Sequence, residues 1–297
     1  MASLNYAVNY QQALEQMFPY TLYFGALYAT PNNGRYKWVN AKSIEIPSIS
    51  TTGRVDSNRD TIATASRNYD NSWEPKTLSN QRKWSTLVHP ADVSQTNQVA
   101  TIQNITRTYN DEQKFPEMDC YTVSKIHSDW LAESMKESNT VLDAENILTE
   151  FDGMMLEMDD ARVPAAGRIL YVIPAVETLL KNAKAIVRTY NLQTSSEAIK
   201  RAITRIDDVS IERVPSELMR TKYDFTQGWK PADDSKQIRM MLIHPLAVIT
   251  PISYQFAQLD PPSAGSEGKW VYFEESFEDV FILNKKKKAI QFNVEAA

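Results

Sequence analysis

Glycine is scarce in this chain of 297 residues: there are 8, scattered at positions 25, 34, 53, 153, 167, 228, 265 and 268, where average usage of roughly 7% would supply more than twice as many. Phosphate cradles need glycines in fixed register so that backbone N–H groups can close on the anion. No GxGxxG, GxxxxGKS/T or GxSxG pattern occurs, which removes the ordinary dinucleotide, nucleotidase and serine-hydrolase signals. Cysteine is nearly absent. Cys120 stands alone, so an internal disulfide or a paired-thiolate zinc site is excluded, and the expected role of Cys120 is that of a small buried apolar side chain.

Histidine is equally thin. His89, His127 and His244 are the full set; they fall in three different elements, without the HExxH spacing that puts two imidazoles on one helix face. His127-Ser128-Asp129 carries the residue types of a catalytic triad, but neighbours along a helix do not face one another. Long hydrophobic runs are missing too. Uncharged apolar stretches such as 169–174 and 240–243 fall far short of the roughly 20 residues that cross a bilayer. The opening MASLNYAVNYQQ lacks a basic segment followed by an apolar one, so no secretory signal and a cytoplasmic origin are expected. With 32 basic and 37 acidic residues, a formal charge of −5 and a pI near 5.4, the chain does not have the basic surplus of a dedicated nucleic-acid binder.

Enough is present for a folded protein of two lobes: 42% hydrophobic and 23% charged residues place it among ordinary globular chains. Residues 1–35 mix a short amphipathic stretch at 10–17 with an aromatic, loop-like run, and read as an extended arm. Trp38, Ile44, Ile46 and Ile49 alternate with polar residues in a strand that Pro47 interrupts. The segment 51–83 is polar, holds Arg54, Arg59, Arg67, Arg82 and Lys83, and has almost no large aliphatic residues. It cannot build a core, and a loop this long in a compact domain is disordered or functional. Renewed alternation over 75–88 predicts a second strand closing a long protruding hairpin.

Helical spacing follows. Val99, Ile102, Ile105 and Tyr109 trace one face of a helix over 92–112, and Pro116 with Glu117 and Asp119 opens a second over 116–137. A third is expected over 141–160, capped by Thr140 with Asp143, with Ile147, Leu148, Phe151, Met154, Met155 and Met158 on its apolar face. Pro164 and Gly167 stop it. Beyond lie a buried strand at 167–174, a helix at 174–190, a half-wet strand around Val209 and Ile211, a buried strand at 239–249, and two strands of 269–294 joined by a lysine-rich turn.

Two charge clusters have a chemical and a plain reading. Glu150, Asp152, Glu157, Asp159 and Asp160 lack calcium-loop spacing and fit the solvated face of the third helix. Lys285 to Lys288 have the charge to attract nucleic acid or a membrane, and equally keep a hairpin tip soluble. Neither catalytic, cofactor-binding nor metal residues can be assigned.

From Lys83 the chain reads KWSTLVHPADVSQTNQVATIQNITRTYNDEQKFPEMDCYTVSKIHSDWLAES, from Asn146 NILTEFDGMMLEMDDARVPAAGRILYVIPAVETLL, and from Val271 VYFEESFEDVFILNKKKKAIQ. The three segments resemble major capsid proteins of tailed bacteriophages, most specifically in DVSQTN and ATIQNITRTYNDEQKFPEMDCYTVSKI. The resemblance implies an α+β fold of the Hong Kong 97 type: an amino-terminal arm (1–40), an extended two-stranded loop (41–90), a peripheral domain with a spine helix (91–166), an axial domain (167–250), and a return to the peripheral domain with a carboxy-terminal hairpin (251–297). Pro116 would mark a break or kink in the spine.

The implied function is self-assembly, as hexamers and pentamers, into an icosahedral virion shell enclosing double-stranded DNA nonspecifically, in the host bacterial cytoplasm. Portal and scaffolding proteins are the implied partners, the scaffold as a separate protein; no membrane, no cofactor and no enzymatic activity are implied. Arg54, Arg59, Arg67, Arg82 and Lys83 become candidates for contacts between subunits, because guanidinium makes planar bidentate contacts with carboxylates. An encapsulin-type compartment around a cargo enzyme is the alternative, as is a soluble enzyme with an unrecognised site.

Overall fold

A computed structural model describes residues 20–56, 60, 67–95, 101–183 and 204–296. The predicted amphipathic stretch at 10–17, Val99, and the part of the 174–190 helix beyond 183 lie outside the described residues. A short helix α1 (Gly25–Tyr28) leads into β1 (Lys37–Asn40), β2 (Ser43–Thr51) and β3 (Tyr69–Thr77), an antiparallel sheet in the order β1-β2-β3. β1 runs beside β2 only as far as Glu45, paired with Lys37. One flank of β2 is therefore open at Pro47, which explains how a residue without an N–H sits inside a nine-residue strand.

β4 (Gln81–Val88) follows. It is the alternating segment that the sequence assigns to the hairpin, yet the hairpin closes earlier, by β2 against β3, and β4 pairs with a strand almost 190 residues later. Helices α2 (Pro90–Gln95) and α3 (Ile102–Tyr109) come next, and then α4 (Phe115–Ala132). Between α3 and α4 the backbone does not break: Asn110–Lys114 forms a wide π turn in which the Phe115 N–H bonds to the Asn110 carbonyl. Pro116 supplies the cause. It has no N–H to give to the carbonyl four residues back and its ring crowds that carbonyl, so the helix widens just before it.

α5 (Ile147–Asp160) begins six residues later than its periodicity suggests. The Asp143 carboxylate accepts from the N–H groups of Glu145 (2.7 Å) and Asn146 (2.8 Å), and the Asn146 side chain reaches back to Asp143 and Val141; this side-chain-to-backbone turn holds 141–146 out of the helix. The apolar face is as predicted, with Ile147, Phe151, Met154 and Met158 buried. Its end is set before Pro164. Arg162 takes a left-handed conformation (φ 60°), its N–H bonds to Asp159 O and that of Val163 to Met158 O, closing the last turn. Fully buried Arg168 then donates to Asp159 Oδ1 (2.5 Å) and to the carbonyls of Val163 and Pro164.

The main sheet has the order β15-β10-β5-β7-β6, formed by β5 (Ile169–Val172), β6 (Arg205–Ile206), β7 (Val209–Arg213), β10 (Ile238–Ile243) and β15 (Ile290–Val294), with α6 (Pro174–Asn182) between β5 and β6 in sequence. β5 and β7 are parallel and the other pairs antiparallel. This sheet carries the core: Leu170, Tyr171, Met240 to Ile243, Ile290 and Phe292 are buried, together with Trp130 of α4, Phe151 of α5, and Phe24 and Leu27. A small side sheet, β8 (Tyr223–Asp224) with β9 (Lys230–Pro231), and a short pair, β11 (Val248–Ile249) with β14 (Phe281–Ile282), lie outside it.

The third main sheet is β12 (Ile252–Asp260), β13 (Trp270–Glu278) and β4, in the order β12-β13-β4. The strands on either side of the lysine run do not pair with each other, contrary to the expected carboxy-terminal hairpin: β14 pairs with β11 and β15 with β10. The lysines instead form a 3-10 turn, Asn284–Ala289.

Candidate assembly surfaces

The β2–β3 register sorts the hairpin into two faces, because residues directly opposite share a side and alternate along each strand. One face carries Ile44, Ile46, Ser48 and Ser50 against Lys76, Glu74, Ser72 and Asp70; the other carries Pro47, Ile49 and Thr51 against Trp73, Asn71 and Tyr69. The second face is apolar and open: Ile49 is 66%, Tyr69 57% and Trp73 47% exposed. At its root the hairpin rests on a separate small cluster of Ile44, Leu78, Ile249, Phe277 and Phe281. Beyond the root a cleft of about 320 Å³ separates it from the body, lined by Arg35, Tyr36, Ile46, Leu283 and Lys286 among others.

A second open surface is one face of the β12–β13–β4 sheet. Its two faces are unlike. Trp84, Arg82, Tyr272 and Glu274 point to one side, where Trp84 stacks on Tyr109, Arg82 Nε pairs with Glu117 (2.5 Å) and Lys114 with Glu274 (3.2 Å). That side is covered by α3, the π turn and α4. Burial raises the pKa of Glu117, against the pull of Arg82, and raises that of Glu278. The opposite side carries Tyr254, Phe256, Val271, Phe273 and Leu87, with Leu87 60% and Tyr254 46% exposed. β12 is also an edge strand whose residues are almost all exposed, an arrangement isolated proteins avoid because it invites pairing. Sequence reading missed this surface, although the alternation in ISYQFAQLD is the signal that finds it.

The five candidate cations are not gathered together. Arg54 is exposed near the distal end of the hairpin, and Arg67 stacks over the Tyr69 ring at 4.7 Å. Arg59 lies outside the described residues. Arg82 is not on the hairpin; it is half-buried and held within its own chain by Glu117 and by Phe225 O (2.8 Å). Its neighbour Lys83 is exposed.

The histidines have structural partners: His127 is buried with its Nε2 2.7 Å from Glu137 Oε2, while His244 accepts from Leu246 N and donates to Ala166 O. Burial lowers the pKa of both. Asp129 is paired with Lys125, so His127-Ser128-Asp129 does not converge. Cys120 is buried and burial pushes its thiol pKa up. Of the acidic cluster, Asp152, Glu157 and Asp160 are solvated while Glu150 meets Asn293 and Asp159 meets Arg168. Among the described residues no cluster suited to a metal ion and no helix long and apolar enough to cross a membrane is found.

No family model and no curated protein matches the chain. Solved structures do. The asymmetric unit of the mature capsid of bacteriophage PhiM1 aligns with a TM-score of 0.66 at 12% identity, over 94% of this chain and 89% of that one. The capsid of cyanophage P-SCSP1u aligns at 0.65 and 9% identity, over 95% and 90%. The capsid of Myoviridae phage XM1 aligns at 0.57 and 9% identity, over 95% and 94%. At such identities the likeness lies in the path of the backbone, and it runs through nearly the whole length: this chain has the α+β fold of phage capsid subunits.

Proposed function

We propose that the protein is the major capsid protein of a tailed phage, which assembles with copies of itself into an icosahedral shell around double-stranded DNA. The observation that carries the reading is the pair of open apolar surfaces, the Ile49–Trp73–Tyr69 face of the hairpin and the Leu87–Tyr254–Phe256 face of the sheet, on a backbone shared with capsid subunits. A two-stranded ribbon with an exposed apolar face gains little as a monomer. Covered by neighbours, it contributes the burial it lacks alone, and many modest symmetric contacts close a stable container.

In this reading the β2–β3 hairpin is the extended loop, α3 with α4 the spine helix of a peripheral domain, and the β5–β10 sheet the axial domain. Arg54, Arg59, Arg67 and Lys83 reach carboxylates of neighbouring subunits. Arg82 is already held within its own chain by Glu117 and Phe225 O. A portal and a separate scaffolding protein are the further partners, the particle is assembled in the bacterial cytoplasm, and the packaged DNA is contacted without sequence readout.

Electron microscopy of the expressed protein, alone and with a co-expressed scaffolding protein, is the test. Closed shells of uniform diameter are expected. A chain that stays monomeric or dimeric under all salt and concentration conditions, with and without scaffold, would overturn the proposal.

A further inference from the structure

The lysine run touches both the carboxy-terminal end of α4 and the β2–β3 hairpin. Lys287 is bound to the carboxy-terminal end of α4: its Nζ donates to Glu133 O (2.9 Å) and approaches Glu133 Oε2 (3.2 Å), while the Trp130 indole N–H donates to the Lys287 carbonyl (3.1 Å). Asn284 and Lys285, at the start of the turn, hold the hairpin, one strand each. Lys285 Nζ donates to Ile49 O of β2 (2.8 Å), and Asn284 Oδ1 accepts from Lys76 Nζ of β3 (3.1 Å).

The 3-10 geometry makes this possible. At three residues per turn, 285, 286 and 287 point in three directions, toward the hairpin, the cleft and the helix end. Between its root cluster and these two bonds the hairpin faces the open cleft, so beyond the root these bonds join it to the body. A short helix fixed at one end to α4 and at the other to both strands of the ribbon is a link between them.

We propose that the Asn284–Ala289 turn is a strut that couples the carboxy-terminal end of α4 to the angle of the hairpin, with Lys287 and Lys285 as its two joints. The coupling belongs to the single chain and does not rest on shell assembly.

The test is the distance distribution between spin labels at Ser50→Cys and Asp152→Cys, both exposed sites, measured by pulsed electron paramagnetic resonance on the unassembled full chain; native Cys120 is buried and escapes labelling. The parent is expected to give one narrow distribution. Lys285→Met should broaden or shift it, and so should Lys287→Met, although Lys287 does not touch the hairpin. Broadening by Lys285→Met alone would reduce the turn to a local contact and overturn the strut, as would no change in either. Should Lys287→Met fail to fold, Glu133→Gln weakens the same joint and is held to the same outcomes.

Discussion

Trp84 of β4 lies flat on Tyr109, the last residue of α3, with ring centroids 3.9 Å apart and planes 7° from parallel. The stack falls where the helix widens into its π turn, beside the Arg82–Glu117 and Lys114–Glu274 pairs. The sheet and the helix are thus pinned where helical hydrogen bonding is irregular.

Removing the upper ring should therefore loosen this junction. Trp84→Ala is expected to lower the unfolding free energy by about 2 kcal/mol, a half-buried aromatic losing both area and stacking; Trp84→Phe should lose less. Urea denaturation of the unassembled chain measures both, and an alanine variant as stable as the parent would contradict the pinning role.

On the hairpin the expectation reverses. Ile49→Ser and Trp73→Ser lie on an exposed face, so each should shift stability by no more than about 0.5 kcal/mol while sharply reducing particle yield. Sedimentation and micrographs of the two variants supply the check; normal yield would show that this face is not used in the proposed assembly.

Asp119 gives a pH dependence with a defined sign. Its carboxylate on α4 is buried and accepts from Tyr20 OH (2.5 Å), Tyr23 N (2.9 Å) and Phe24 N (3.1 Å). Burial outweighs those bonds and raises its pKa from 3.8 to about 6. The folded state therefore holds its proton more tightly than the unfolded one. The stability this contributes is fully present below 3.8 and is lost as pH rises through about 6, a change on the order of 3 kcal/mol. Asp119→Asn should lose some stability at every pH, since its amide N–H₂ faces donors, and should lack this slope. Melting curves of both proteins between pH 3.5 and 7.5 compare them; equal slopes would rule out the linkage.

Gly167 precedes β5 with φ +89°, and a methyl group there would sit 3.6 Å from His244 Nε2. Space is adequate but the backbone is not, so Gly167→Ala should cost about 1–2 kcal/mol through left-handed strain. Chemical denaturation resolves a loss of that size, and a neutral result would mean the turn re-forms with another conformation.

Local pattern carried much of this structure. Alternation located β2 and β4, and 3.6-residue periodicity located α3 and the buried face of α5. Partner choice was not local. Nothing in QRKWSTLV states that its neighbour is WVYFEESF rather than the strand just before it, and nothing near Arg82 names Glu117 or Phe225 as its partners. The lysine run misled for the same reason: flanking strands suggest a hairpin, but each pairs elsewhere, β14 with β11 and β15 with β10. Of the surfaces, the hairpin was legible because it has too few aliphatic residues to be core. The sheet face was hidden by its resemblance to an ordinary half-buried strand.

The way residues 30–33 are fastened has a consequence for the order of events during synthesis. Thr30 donates to Pro245 O, Asn32 to Leu246 O and Val248 O, and Asn33 exchanges two bonds with Thr250. These contacts span about 215 residues, and β10 pairs with the edge strand β15, about 50 residues further on. Residues 245–250 must be synthesised before residues 30–33 can be locked down. Contacts of such long sequence separation favour slow closure, so the chain passes through a window in which residues 30–33 have been made but not yet fastened.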